Sequence, residues 1–179
     1  MRLLLVISLF QVFILTLGFS QNEFSIAQIQ GENSVSPLLN DQVTVNEAVV
    51  TAIDRDILYV QSMSEDGNPR SSEGILVDWD EATDFDINDI VRITGTVREF
   101  DNNTAIQAQT VIKLGENTTP IIPIEINDNF PGPNLQNINA LEFAEGQLVS
   151  FTNMIITGPS IGADLSYISG ASTLSLIHI

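Results

Sequence analysis

The chain has 179 residues, enough to bury one good core and to begin a second. Its 23 acidic and 6 basic residues give a net charge of −17, which excludes a protein that holds nucleic acid on a broad basic surface. It has no cysteine, so disulfide frameworks and thiolate metal sites are excluded as well. High acidity is typical of soluble proteins in saline surroundings and of proteins that bind divalent cations.

The N-terminus has the pattern of a secretory signal peptide. Met1 and Arg2 form a minimal positive region, and residues 3–19 form an apolar run. Gly18 and Ser20 supply the small side chains that a cleavage site before Gln21 requires. We expect residues 1–20 to be removed, leaving a secreted protein, extracellular or periplasmic, without a membrane span. An uncleaved membrane anchor is the alternative.

A polar segment, residues 21–41, follows and is predicted to be mostly loop. From residue 42 the pattern changes to period two, with many β-branched residues, and no amphipathic helix of any length interrupts it. The pattern predicts five strands, at residues 42–53, 57–62, 74–79, 89–100 and 104–114.

Short turn sequences join the first strand to the second and the fourth to the fifth, as in β-hairpins. The first and fourth strands are the longest, so each has the length to bend and pair with two neighbours. Gly95 marks a natural bend in the fourth strand. The pattern therefore predicts an all-β protein with a five-stranded OB-like Greek-key barrel over residues 42–114. A piece of a β-sandwich is the alternative topology.

Beyond the barrel, residues 115–134 contain four prolines and are predicted to form an extended linker that does not sit inside a central sheet. Residues 135–173 contain one candidate helical turn, near residues 139–143, and one strand, at residues 147–157. One strand and a loop do not bury a core. We therefore expect these residues to be the incomplete start of a second β module.

The last residues, Leu174 to Ile179, read LSLIHI and hold the only histidine. They resemble the translation of a transposon-end sequencing adapter, so we expect residues 174–179 to be an artefact and the natural sequence to be cut off near Thr173. An ordinary C-terminal strand is the alternative.

Several segments together resemble the OB-fold region of secreted bacterial nucleases. They are FSIAQIQG, SSEGILVDW, VRITGTVREF and LEFAEGQLVSF, and the resemblance covers roughly residues 24–157. In that family an OB-like domain precedes a catalytic endonuclease/exonuclease/phosphatase domain. The resemblance implies a truncated fragment of such a protein, whose missing domain would bind nucleic acid and a divalent metal such as Mg²⁺.

Hydrolysis in that family resembles a metal-assisted reaction with a histidine as general acid or base. Residues 21–173 contain no histidine. We therefore expect this part of the chain to be non-catalytic and to need no cofactor for chemistry.

Two groups of residues are candidates for binding. The acidic cluster Asp78, Asp80, Asp84 and Asp86, with Glu81 and Asp89 beside it, has the oxygen ligands that Ca²⁺ prefers. A solvated acidic loop is the alternative. OB barrels bind ligands on their second and third strands through aromatic and basic side chains, which here are Tyr59, Trp79, Arg92 and Arg98. Core packing of the two aromatic residues is the alternative.

Three functions follow as hypotheses. The first is a non-catalytic OB-fold accessory domain of a secreted nuclease-like protein. The second is a stand-alone secreted or surface module that binds oligosaccharide or nucleic acid. The third is a structural surface domain stabilised by calcium.

Overall fold

A computed structural model describes residues 22–100, 102–126, 142–151 and 174–178. The predicted signal peptide lies outside these residues. Within them, no helix has the length and apolar character needed to cross a membrane.

The main body is a closed five-stranded barrel with the strand order β1-β2-β3-β5-β4. All neighbours pair antiparallel except β3 and β5, which run parallel. This is the OB-like Greek-key topology that the period-two pattern predicts. The strands are β1 (Gln42–Asp54), β2 (Ile57–Gln61), β3 (Gly74–Asp78), β4 (Asp89–Phe100) and β5 (Asn103–Glu116).

The long strands bend as expected. β1 pairs with β2 through one part of its length and with β4 through another, and its register shifts in both pairings. The β4–β5 register shifts between Thr94 and Gly95, so the predicted bend at Gly95 is confirmed. A Cβ at Gly95 would lie 2.3 Å from the carbonyl oxygen of Gln107, which explains why glycine stands there.

The segment predicted as loop before the barrel contains a short helix, α1 (Ile26–Gln30). Ser25 caps it through a reciprocal hydrogen-bond pair with Gln28. Ile26 and Ile29 are 1% and 0% exposed and belong to the barrel core. So short a helix is marginal on its own, and its burial against the barrel is what stabilises it.

A second, smaller sheet has the order β6-β7-β8. β6 (Ile124–Ile126) lies inside the predicted linker, at the edge of this sheet, and pairs parallel with β7 (Leu148–Phe151). β8 (Leu174–His178) pairs antiparallel with β7. A 3-10 turn, Glu142–Ala144, precedes β7. The predicted linker thus contributes a strand, while the remainder of the predicted strand at residues 147–157 lies beyond the described part.

Candidate ligand-binding face

The outer face of β2, β3 and β5 is formed by residues that alternate with the core. Leu58 and Val60 of β2 are fully buried, so Tyr59 between them lies on the outer side. Tyr59 pairs with Leu76 of β3, and Leu76 pairs with Ala105 of β5. One continuous surface therefore runs across the three strands.

This surface carries a cleft of about 330 Å³, which we call the ligand cleft. Its residues come from the outer side of the barrel strands and from the end of β4. They are Ile57, Leu76, Asp78, Arg98, Glu99, Phe100, Ala105 and Gln107. The floor is apolar, and a guanidinium, two carboxylates and an amide stand around it.

Arg98 and Phe100 form one side of the ligand cleft. They are two residues apart on β4, which places both on the same face of the strand. Arg98 is exposed, and its Nη1 donates a hydrogen bond of 2.5 Å to Oδ1 of Asn40. Phe100 is 57% exposed, so its ring is open to a ligand. Phe100 is not one of the ligand residues that the sequence pattern predicts, although its place two residues after Arg98 is a usable signal.

Tyr59 lies on the same outer face, beside Leu76, and is half-buried. Its burial, together with the negative charge of Asp54, raises the pKa of the Tyr59 hydroxyl above its usual value. The side chain therefore stays a neutral hydroxyl at physiological pH. Tyr59 and Arg98 lie on the same outer face of the sheet, but Tyr59 is not among the residues that line the ligand cleft.

Trp79 follows β3 and packs against the core while remaining half-buried. Its indole Nε1 is buried and has no hydrogen-bond partner among the described residues. A smaller cleft of about 240 Å³ contains Trp79 and shares Asp78 and Gln107 with the ligand cleft. Trp79 thus lies next to the candidate site, with part of its ring surface used in core packing.

Arg92 lies apart from the other predicted ligand residues. It is six positions from Arg98 on β4, roughly 20 Å along the strand. It is exposed and contributes to a different cleft, of about 710 Å³, with Glu23 and Glu47. The structure therefore separates the two arginines that the sequence pattern grouped.

The acidic cluster is distributed over the β3–β4 connection. Asp78, Asp80, Asp84 and Asp86 are all exposed. Within the described ranges, no three acidic or histidine side chains are placed to hold one metal ion. The arrangement gives the predicted calcium site no support, and that site stays a prediction.

Asp89, at the end of the same connection, is only 1% exposed and has a structural role. Its Oδ2 accepts a hydrogen bond from the backbone N–H of Asp86. Its Oδ1 lies 2.7 Å from Nζ of Lys113 on β5. This pair connects the β3–β4 connection to the neighbouring strand.

Comparison with known proteins identifies no family. No family model matches the chain, and no curated protein matches it. Among solved structures, the hypothetical protein ygiW from E. coli is 22% identical with a TM-score of 0.32, over 42% of this chain and 77% of that one.

Two further solved structures are similar over comparable stretches. An OBody bound to hen egg-white lysozyme is 16% identical with a TM-score of 0.35, over 45% of this chain and 84% of that chain. A replication protein A heterotrimer bound to ssDNA is 26% identical with a TM-score of 0.30, over 42% of this chain and 58% of that chain. The fold assignment rests on the strand order and pairing of the barrel itself.

Proposed function

We propose that this chain is a non-catalytic OB-fold binding module of a secreted nuclease-like protein, and that it holds its ligand in the ligand cleft. The observation that carries the proposal is the position of that cleft. It lies on the outer face of β2, β3 and β5, which includes the strands that OB barrels use for oligonucleotides and oligosaccharides.

The chemistry of the ligand cleft fits a flat ring with polar edges. Phe100 offers an exposed aromatic face for stacking, and Ile57 and Leu76 supply an apolar floor. The remaining donors of Arg98 and the amide of Gln107 provide hydrogen bonds at the rim. A nucleobase or a sugar ring has the shape and the polar edge that these groups match.

An oligosaccharide is the second candidate ligand, and Asp78 favours it. A carboxylate beside the cleft accepts hydrogen bonds from sugar hydroxyls and repels phosphate. The net charge of −17 acts in the same direction. A nucleic acid would therefore have to be held mainly by stacking.

The test is a titration of the full chain with a short single-stranded oligothymidine and, separately, with a neutral oligosaccharide such as cellohexaose. Trp79, the only tryptophan, is next to the cleft and reports binding by its fluorescence. Phe100→Ala removes the stacking platform and is expected to weaken binding roughly tenfold or more. Ile112→Ala is its matched control, because Ile112 is 51% exposed and outside the ligand cleft.

Arg98→Ala is compared with Arg92→Ala in the same titrations. We expect Arg98→Ala to weaken binding and Arg92→Ala to leave it unchanged. For oligothymidine bound through one arginine, the salt dependence is shallow, with a log–log slope near about −0.7. Equal effects of the two arginine variants, or no binding of either probe, would contradict the ligand cleft as the site.

The proposal that this chain is part of a longer secreted nuclease-like protein is supported by the resemblance of the sequence segments quoted above. Resequencing the source DNA across codon 173 without transposon tagging tests it. A reading frame that continues into a domain with a histidine–aspartate pair and an early metal-ligating glutamate agrees with the proposal. A frame that ends with LSLIHI leaves a stand-alone binding module instead.

A further inference from the structure

Residues 142–148, which we call the joint segment, lie against the rim of the barrel where β2 ends and β3 begins. Ser72 Oγ donates a 2.5 Å hydrogen bond to the carbonyl oxygen of Glu145. Gln147 Nε2 donates to Ser72 Oγ at 3.1 Å, and the backbone N–H of Leu148 donates to Oε1 of Gln61, also at 3.1 Å. The joint segment is thus bonded to the end of β2 and to the connection that precedes β3.

A further bond reaches the start of β5. The backbone N–H of Thr104 donates to Oε1 of Glu145 at 2.5 Å. Gln61, Ser72, Glu145 and Gln147 are all 7% exposed or less. Because these polar groups are buried, separating the joint segment from the rim would leave them without partners unless water entered.

Two glycines, Gly74 and Gly146, lie close together where the joint segment meets β3. A Cβ at Gly74 would lie 2.4 Å from both the carbonyl carbon and the carbonyl oxygen of Gly146. It would also lie 2.5 Å from the backbone nitrogen of Gln147. The backbones of β3 and the joint segment therefore touch directly, and only glycine at residue 74 allows it.

From these contacts we infer that the joint segment fixes β7, and the strand β6 paired with it, rigidly on the barrel. β7 begins at Leu148, within the joint segment, so its direction is set by the rim contacts rather than by the proline-rich residues 115–134. The ligand cleft is consequently held at a fixed orientation relative to β6 and β7. The rigid attachment through the joint segment is a feature separate from ligand binding, and it does not depend on the identity of the ligand.

The test is a distance measurement between two nitroxide labels. The chain has no cysteine, so Thr110→Cys on β5 and Ser150→Cys on β7 give a cleanly labelled full chain. Double electron–electron resonance should give one narrow distance distribution. Adding Gly74→Ala, whose methyl group meets the joint segment, should broaden or shift that distribution.

Gly115→Ala is the matched control, because a Cβ there has nothing within 4 Å. It should leave the distribution narrow. Circular dichroism and Trp79 fluorescence verify that each variant keeps the barrel folded. If Gly74→Ala does not fold, Gln147→Ala replaces it as the test variant. It deletes the side chain that is bonded to Ser72 and to the carbonyl oxygen of Phe143, and it leaves the barrel sequence unchanged. A broad distribution in the labelled parent, or an unchanged narrow one in a folded joint variant, would overturn the inference.

Discussion

Lys113 is the only lysine, and its single charge is placed against the most buried acidic side chain of the described residues. Its Nζ lies 2.7 Å from Oδ1 of Asp89 and 3.7 Å from Oε1 of Glu116. The hydrogen bond to Asp89 is the main cause that raises the pKa of Lys113 above its usual value. The pKa of Tyr59 is raised as well, by burial and by the negative charge of Asp54. The folded chain therefore retains both protons to a higher pH than the unfolded chain does.

The two raised pKa values predict that the folded chain loses stability at alkaline pH. Stability from both groups is complete below their unfolded pKa values, near pH 10, and is lost as the pH rises through the folded ones. We expect the urea midpoint to fall as the pH rises above about 10. With one lysine and two tyrosines in the chain, few other groups titrate in that window.

Lys113→Met and Tyr59→Phe should each reduce the alkaline fall in the urea midpoint. Arg92→Met is the control, since Arg92 lies on the neighbouring strand β4 and an arginine does not lose its proton in this range. If the urea midpoint falls equally in the unsubstituted chain and in the three variants, neither the contacts of Lys113 nor those of Tyr59 control the alkaline transition.

At the scale of elements, the bend of β4 decides whether the barrel closes. The β4–β5 register shift next to Gly95 brings the strand backbone so close to Gln107 that a side chain has no space. Closure of a sheet into a barrel depends on such bends at defined positions.

Gly95→Ala is therefore expected to lower the free energy of unfolding by about 1–3 kcal/mol, because the methyl group must displace backbone and the side chain of Ile106. Urea denaturation followed by circular dichroism measures it. Gly115→Ala, on β5 with open space around it, should change stability by no more than about 0.5 kcal/mol. Equal losses of unfolding free energy in the two variants would show that the close backbone approach at Gly95 does not require glycine.

At the scale of the whole molecule, the charge of −17 spreads repulsion over the surface. Added salt screens that repulsion, so the melting temperature should rise with ionic strength. The exposed carboxylates of the β3–β4 connection share in this general effect. The described residues do not gather them into a metal site.

We expect CaCl₂ to raise the melting temperature no more than NaCl of equal ionic strength does, with or without prior treatment with a chelator. Differential scanning fluorimetry of the full chain measures this. A rise with micromolar calcium that NaCl does not reproduce would contradict this expectation and support the calcium-stabilised domain.

The five barrel strands could be predicted because their signal is local. Alternating β-branched residues and short turns specify each strand within its own stretch of chain, and β4 begins and ends at the predicted residues. The lengths of the first and fourth strands, with Gly95, were enough to indicate the barrel. The short helix α1 was missed, because five residues carry little periodic signal.

The candidate site was decided by the tertiary structure. The sequence pattern grouped Arg92 with Arg98, whereas the folded chain holds them roughly 20 Å apart along β4, in different clefts, and places Phe100 beside Arg98. The joint depends on hydrogen bonds between residues 73 and 87 positions apart in the chain. Strand formation is a property of neighbouring residues, and the sequence therefore determined it. Which side chains share a cleft and which backbones touch depends on the closure of the barrel, and only the folded chain decides that.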